Sequence, residues 1–438
     1  MRLKIISLFL SLFLLPSCLF AQSVSDCPLQ IVDLIDLALA NNPETRLTWW
    51  NAKRAAAALD SARSAYSPII GINAHLTNGR DFRFVNGPDV DYTITGVDLT
   101  LNLLLYDFGE RDAQVQVAKN ALVAANWQTD WVLQKVLVDV FENAYTILNL
   151  QETLQAARIS SDDAVKMLET AVELNRAGLT PVTDVHTSRA QVSQAKMEVV
   201  QHQSHLEIQY AKLASSLGLM ADTPLKLATI SDLPTLSATS LSKLIDLALK
   251  QRADLMAKHA RVKEARAQHL KTQLSYRPKI SVYARGGANR AVEDKANAAQ
   301  YQVKLNLDIP LYDGFNHVYQ NRMAFADLRT SIEELAQLEL NIAFEVLSYS
   351  KNLQAAQAML PLAESNLNSA KQAYEGVLET YGSGKIDIAV VSNALRQLAA
   401  ARMRYSDVRT KLLVAAANLA FSTGTLLPYV ETSCEKSF

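Results

Sequence analysis

The chain lacks a strong charge bias and, past its first residues, any long apolar run. Lysine and arginine number 43 and aspartate and glutamate 44, and no basic cluster stands out, so no nucleic-acid partner is expected. No run of eighteen apolar residues follows residue 21, so we expect no transmembrane helix there. Any membrane crossing by the exported chain would therefore consist of β-strands.

Signatures of common catalytic and cofactor sites are also missing. The sequence has no phosphate-binding loop, no dinucleotide-binding glycine motif, no zinc-binding His-Glu-x-x-His and no nucleophile elbow. His202 and His205 lie three residues apart on one helical face and could hold a metal. We find no cysteine or carboxylate at matching spacing and favour a solvated helix face. We expect neither an enzyme, nor a cofactor, nor a metal site.

The first 21 residues have the features of a secretory signal peptide. A positively charged start precedes an apolar run at 5–15 that is too short to span a bilayer as a helix. Cleavage after Ala21 fits the preference for a small residue at that position. An alternative is lipidation, because Leu15-Pro16-Ser17-Cys18 resembles a lipobox and would leave an acylated Cys18 as the first residue.

Two cysteines remain if Cys18 leaves with the signal peptide. Cys27 and Cys434 stand near opposite ends of the mature chain, in a compartment that permits disulfides. A disulfide between them is one interpretation and two free thiols are the other. The sequence does not reveal whether their Cα atoms come within bonding distance.

The chain consists of two copies of one unit. Leu-Ile-Asp-Leu-Ala-Leu occurs at 34–39 and again at 244–249. Further identities pair Tyr66 with Tyr276, Pro68 with Pro278, Gly178 with Gly384, Leu213 with Leu419 and Gly218 with Gly424. The repeat length of about 206 residues indicates a duplicated half-structure, not a solenoid. Within one domain at 22–438 we place repeat one at about 31–219, a linker at 220–240, repeat two at about 241–424 and a tail at 425–438.

Each unit combines a helix-favouring start with two amphipathic strands. The opening segments, at about 31–66 and 241–276, end at a Tyr-x-Pro sequence. Strands are predicted at about 68–78, 90–106, 278–286 and 299–311. One apolar and one polar face suit a membrane barrel with a wet interior. Four strands cannot close a barrel, so several chains must share it; three would give about twelve strands and two about eight.

A very long helix follows each strand pair. These helices are predicted from Gly109 to about Asn175 and from Gly314 to about Thr380, which corresponds to about 100 Å each. A glycine-containing turn and a returning helix of about forty residues follow. The returning helix covers only about 60 Å, so the opening segment must complete the column. Pro361 predicts a kink or local unwinding.

These features resemble the TolC family of outer-membrane efflux proteins over essentially the whole mature chain. The stretch from Leu174 to Val185, Leu-Asn-Arg-Ala-Gly-Leu-Thr-Pro-Val-Thr-Asp-Val, is similar to that family's first periplasmic turn. Tyr381-Gly382-Ser383-Gly384 is similar to the second turn, and a Tyr-Asp pair follows the second strand of each unit. Several matches in the expected order make the resemblance specific.

The resemblance implies a mainly α-helical fold with a β-barrel portion. Three identical chains would form a 12-strand transmembrane β-barrel, four strands from each, and an α-helical tunnel that extends from the outer membrane into the periplasm. A periplasmic adaptor and an inner-membrane transporter of the RND, ABC or MFS type would dock at the tip, as in tripartite efflux and type I secretion. The tip would open by an iris-like movement of the helical hairpins.

By the same resemblance, Thr183, Asp184 and Tyr381 help to hold the tip closed, beside the turn glycines Gly178 and Gly384. Asp184 also suits the start of a helix, where acidic residues are favoured. The two roles are compatible.

The chain departs from the family pattern at the pore. Ile386 stands at the expected basic partner of the gate, and only Lys385 lies beside it. The acidic pore positions of the family correspond to Val390 and Asn393. A ring of Asn393 would be polar and uncharged, so strong cation selectivity is not expected there.

Two functions of different classes compete on the sequence. The leading one is a passive export conduit, with energy supplied by its partners. The alternative is a periplasmic coiled-coil adaptor or scaffold without a pore. The amphipathic strands favour the conduit, because an adaptor has no need of lipid-facing strands.

Overall fold

The computed structural model describes residues 29–81, 90–228, 240–291, 297–383 and 385–425. The first repeat contains α1 (Ile31–Asn41), α2 (Pro43–Ser64), β1 (Ile69–Asp81), β2 (Val90–Tyr106), α3 (Glu110–Arg176) and α4 (Val182–Ser216). The second contains α5 (Leu241–Gln251), α6 (Ala253–Leu274), β3 (Lys279–Ala291), β4 (Asn297–Asp308), α7 (Asn316–Gly382) and α8 (Ile388–Ser422). The same order of elements thus occurs twice.

Several predicted features lie outside the described residues. They are the signal peptide with Cys18, the two cysteines Cys27 and Cys434, and the turn residue Gly384.

The four strands form one antiparallel sheet in the order β1-β2-β3-β4. The β2–β3 ladder, in which Leu99 lies opposite Gly286, joins the hairpins of the two repeats. One face of the sheet is apolar and exposed: Ile72, Leu76 and Tyr301 have exposed fractions of 74%, 71% and 90%. Successive side chains of a strand alternate between faces. The residues between these apolar ones therefore lie on the opposite face, which is polar.

Polar pairs stabilise that second face. Asp98 on β2 forms an ion pair with Arg285 on β3 and lies 3.3 Å from His75 Nδ1 on β1. A Cβ atom at residue 287 would lie 2.1 Å from Asp98 Oδ1. Glycine at this position therefore lets the aspartate lie flat across the sheet.

The long helices α3 and α7 contain 67 residues each, about 100 Å of helix. The returning helices α4 and α8 contain 35 residues each, fewer than the forty predicted. Helix α7 continues through Pro361 without interruption, so of the two alternatives the local unwinding is wrong and the kink stays a prediction. Ala356 and Ala363, in the turns on either side of Pro361, are buried.

Each opening segment is broken into two helices, where the sequence predicted one. The breaks fall at Asn42 and Arg252, both of which have extended backbone conformations. In the first repeat, Pro43 occupies the first position of α2, where a missing N–H is tolerated. The Asn42 side chain accepts a hydrogen bond from the Glu44 N–H at 2.7 Å and caps α2.

The apolar core is divided among the seams between helices. One cluster joins α1, α3 and α4, and its fully buried members include Leu34, Val140, Ile147 and Leu213. A second joins α3, α4, α7 and α8 at the opposite end of the long helices. None of the described helices combines the length and the apolar character that a membrane crossing needs.

Candidate functional site

The helical end opposite the sheet is formed by two turns, and the first is closed by a glycine. Gly178 has φ +73°, a left-handed conformation that ends α3. The Leu179 N–H donates to the Leu174 carbonyl at 2.9 Å, and the Asn175 side chain donates to the Thr180 carbonyl at 2.8 Å. These bonds satisfy backbone groups left free where the helix stops.

The second turn leads from α7 into α8. Asp387 caps α8, because its Oδ1 accepts from the Ala389 N–H at 2.8 Å. Ile386 is half-buried and packs against the apolar cluster shared by the four helices. The residue at the family's basic position therefore contributes to the core of the tip.

The structure brings Asp184 of the first repeat together with Tyr381 of the second. Tyr381 is fully buried, and its hydroxyl donates to Asp184 Oδ2 at 3.4 Å, a long hydrogen bond. Burial, with a further contribution from the charge of Asp184, raises the pKa of Tyr381 to about 12. The phenol therefore remains a donor at neutral pH.

The other predicted tip residues do not join this contact. Thr183, Lys385 and Asn393 are exposed, and within the described ranges none of them has a side-chain hydrogen bond or ion pair. Val391 and Ser392 beside Asn393 are buried. Asn393 thus lies on the side of α8 away from the apolar cluster.

That cluster packs the two helical hairpins against each other. It includes Met167, Leu174, Tyr374, Tyr381, Ile388, Val391, Leu395 and Leu398. Because it contains residues of both α3/α4 and α7/α8, moving one hairpin relative to the other would expose apolar surface.

An ion pair between α3 and α8 near the tip was not predicted from the sequence. Arg402 Nη1 on α8 lies 3.1 Å from Asp163 Oδ2 and 3.2 Å from Ser160 Oγ, both on α3. The Tyr374 hydroxyl donates to the Asp163 carbonyl at 3.4 Å. Asp163 and Arg402 are 239 residues apart, and no local pattern marks them as partners.

Similar contacts continue along the α3–α8 seam. Arg409 Nη1 lies 2.5 Å from Glu152 Oε1, and the Ser406 hydroxyl donates to the side chain of Asn149 at 2.7 Å. The seam between the repeats is therefore linked by polar contacts over several helical turns.

His202 and His205 are adjacent on α4, with ring centroids 6.4 Å apart. Burial, followed by the effect of His205, lowers the pKa of His202. Glu198, four residues earlier, is a carboxylate at helical spacing that the sequence interpretation overlooked. Among the described residues, no group of three or more such ligands could hold a metal.

Solved structures share this architecture. The outer-membrane channel OprN superposes with a TM-score of 0.81 at 17% identity, and the alignment covers 90% of both chains. The outer-membrane protein VceC from Vibrio cholerae gives a TM-score of 0.80 at 19% identity, covering 90% of this chain and 96% of that one. The fold is therefore that of an outer-membrane channel, which confirms the predicted fold class.

Sequence comparison gives the family. The profile described as outer membrane efflux protein matches residues 34–219 and 244–425, one segment in each repeat. Protein CyaE of Bordetella pertussis is 29% identical over 417 residues, covering 90% of this chain and 85% of that protein. Outer membrane protein TolC of Salmonella enteritidis is 23% identical over 409 residues, covering 90% and 82%. The chain belongs to the outer membrane efflux protein family.

The protein is thus an outer-membrane efflux channel that extends into the periplasm, as the sequence predicted. The pore-less adaptor receives no support.

Proposed function

We propose that three copies of this chain form one conduit, with a 12-strand barrel in the outer membrane and a helical tunnel in the periplasm. The unpaired edges of the sheet support this assembly. Within the described part of the chain β1 and β4 each pair on one side only. A strand edge cannot remain unpaired in hydrocarbon, and four strands are too few to close a barrel. Pairing β1 of one copy with β4 of the next satisfies both edges.

The apolar face of the sheet supports the same arrangement. Val303, Leu305 and Leu307 on β4 have exposed fractions of 74%, 69% and 61%. On the outside of a barrel these side chains face the acyl chains of outer-membrane lipids. The polar face, with Asp98 and Arg285, then lines a water-filled interior.

The tip docks a periplasmic adaptor and, through it, an inner-membrane transporter of the RND, ABC or MFS type. Leu179 and Val182 in the first turn are large apolar residues that are 63% and 56% exposed. Exposed apolar groups at a turn are suited to contact with another protein. The sequence has no nucleotide-binding loop, so the partners supply the energy for export.

The tip also contains the gate. Tyr381 and Asp184 hold the two hairpins together in the closed state, with Gly178 and Gly384 at the turns. Exposed Thr183 and Lys385 are available for contacts between copies. A ring of Asn393 gives the closed pore an uncharged polar lining.

The first test is planar-bilayer conductance of the detergent-purified, heat-sensitive oligomer, with its mass measured in parallel. A trimer that forms small, steady channels is the expected result. A monomer without conductance would overturn the proposed assembly. A dimer with conductance would retain the conduit and replace the 12-strand barrel by one of eight strands.

A further inference from the structure

Two phenylalanines at the joints between the sheet and the long helices have strained backbones. Phe108 (φ +56°) and Phe315 (φ +67°) are the only residues other than glycine with a positive φ in the described part of the chain. A bulky L side chain is disfavoured in this left-handed region. Strain of this kind persists where the surrounding structure maintains it, and it often marks a functional position.

The turns themselves do not require phenylalanine. Gly109 (φ +99°) directly follows Phe108, and Gly314 (φ +71°) directly precedes Phe315. A second glycine would adopt the left-handed conformation with less strain. Burial does not account for the rings either, since Phe108 and Phe315 are 45% and 57% exposed. The rings are therefore available for contact with something outside this chain.

Each phenylalanine packs edge to face against a tyrosine that lies two or three residues earlier. The ring centroids of Tyr106 and Phe108 are 4.7 Å apart, and those of Tyr312 and Phe315 are 5.6 Å apart. The two tyrosines are 53% and 74% exposed. These two Tyr–Phe units are called the joint pairs here. Both repeats thus present the same exposed aromatic unit at the same joint.

The first joint pair continues the apolar face of the sheet. In the β2–β3 ladder Tyr106 lies opposite Ile280, and Ile280 lies opposite Leu307 on β4, which is 61% exposed. Side chains directly opposite each other share one face of the sheet. The ladder is irregular between Leu104 and Tyr106, and such bulges redirect a side chain. The pair therefore lies at the helical end of the apolar face.

The second joint pair leads from apolar to charged residues along α7. Leu311, beside Tyr312, is 89% exposed. Tyr319 lies one helical turn beyond Phe315 and is 57% exposed, and Arg322 Cζ lies 5.8 Å from the centroid of its ring. The order apolar, aromatic, cationic matches the surface of a bilayer, where aromatic rings lie at the level of the headgroups and long cations reach outward.

We propose that the two joint pairs anchor the chain in the phospholipid headgroup region of the periplasmic leaflet, and that the left-handed phenylalanines fix the depth of the sheet in the membrane. Aromatic residues flank the apolar band of membrane barrels at both interfaces. The inference rests on the proposed barrel. It assigns the strain at Phe108 and Phe315 to a contact that the strands alone do not make.

Tryptophan fluorescence of the full-length protein in phosphatidylcholine vesicles tests the proposal. The acyl chains contain bromine either near the headgroup or near the methyl end, because bromine quenches only rings close to it. The probes are Phe108→Trp, Phe315→Trp and Val303→Trp, the last on the apolar face of β4. Phe344→Trp is the matched control, since Phe344 is 70% exposed on α7 and lies about 43 Å along the helix from Phe315. The emission of the four native tryptophans, measured in the wild type, is subtracted.

Val303→Trp should be quenched mainly by bromine near the methyl ends of the acyl chains. If neither lipid quenches it, the barrel and the anchor are both wrong. With Val303→Trp quenched, Phe108→Trp and Phe315→Trp should respond mainly to bromine near the headgroup, and Phe344→Trp to neither lipid. If the two joint probes then behave like Phe344→Trp, the anchor is wrong and the barrel stands.

The double variant Phe108→Gly/Phe315→Gly tests whether the joint pairs fix the depth. It removes both rings and at the same time relieves the left-handed strain. With Val303→Trp as the probe, the balance between quenching by the two lipids should shift when the anchor is lost. An unchanged balance would overturn the role of the phenylalanines in fixing the depth. Only proteins that keep the wild-type circular dichroism spectrum and oligomeric mass are compared.

Discussion

At the residue scale, the Tyr381 hydroxyl and Asp184 form a contact between the two repeats at the tip. Asp184→Ala removes the acceptor of the hydroxyl of Tyr381, a fully buried residue. We expect a larger single-channel conductance, because the hairpins then separate more easily. Asp162→Ala, at an exposed residue of α3, is the control and should conduct like the wild type. Unchanged conductance in Asp184→Ala would restrict this aspartate to stabilising the start of α4.

The ion pair between Asp163 and Arg402 makes a second prediction at this scale. The two side chains are 13% and 18% exposed, so breaking the pair leaves a mostly buried carboxylate with only Lys166, 3.9 Å away, as a partner. Arg402→Gln should lower the free energy of unfolding by about 2 kcal/mol. Thermal unfolding followed by circular dichroism measures this, with Arg404→Gln at an exposed position as the control. Equal unfolding temperatures for both variants would show that the pair adds no stability.

At the scale of elements, two glycines with the same backbone conformation face different surroundings. Gly218 has φ +74°, and a Cβ atom there would lie 2.4 Å from the Asn41 carbonyl oxygen. Gly178 has φ +73°, with no atom within 4 Å of the same position. Gly178→Ala should lower the free energy of unfolding by about 1 kcal/mol, because alanine is strained in the left-handed conformation.

Gly218→Ala should lower the free energy of unfolding by about 3 kcal/mol, more than Gly178→Ala. The end of α4 must then also move away from the break between α1 and α2. Chemical denaturation of the two variants gives the comparison. Similar losses of stability in the two variants would mean that the backbone at the break between α1 and α2 shifts to make room for the added methyl group.

The breaks in the opening segments show what local sequence can predict about elements. Asn42-Pro43-Glu44 is a capping residue followed by proline and an acid, which is a readable helix start, although we predicted one segment. The sequence around Arg252 has no such signal for the start of a helix. Its extended conformation is maintained by Asp254 and by Glu345, and Glu345 is 93 residues away.

At the scale of the whole molecule, the sequence leaves two alternatives for Cys27 and Cys434, a disulfide or two free thiols. If Cys27 and Cys434 form a disulfide, mass spectrometry of the unreduced protein should detect the crosslinked peptide. Free thiols at both positions would exclude it. The mass of the mature N-terminus, measured in the same experiment, distinguishes an acylated Cys18 from cleavage after Ala21.

The sequence by itself determined the features that depend on neighbours a few residues apart or on repetition. These are the duplication, the two faces of each strand, the long helices and the positions of the tip turns. Helical and strand periodicities express local backbone geometry, so they are visible without a fold. The contact between Asp184 and Tyr381 was accessible only through resemblance to a family.

Only the tertiary structure decided which distant side chains meet. The pairing of Asp163 with Arg402 and that of Arg252 with Glu345 depend on how helices distant in the chain pack, and that geometry leaves no periodic trace in the sequence. Two breaks with matching positions thus differ in their contacts: Arg252 is buried beside Asp254 and Glu345, whereas Asn42 bonds only the Glu44 N–H and the Ser216 carbonyl by its side-chain amide.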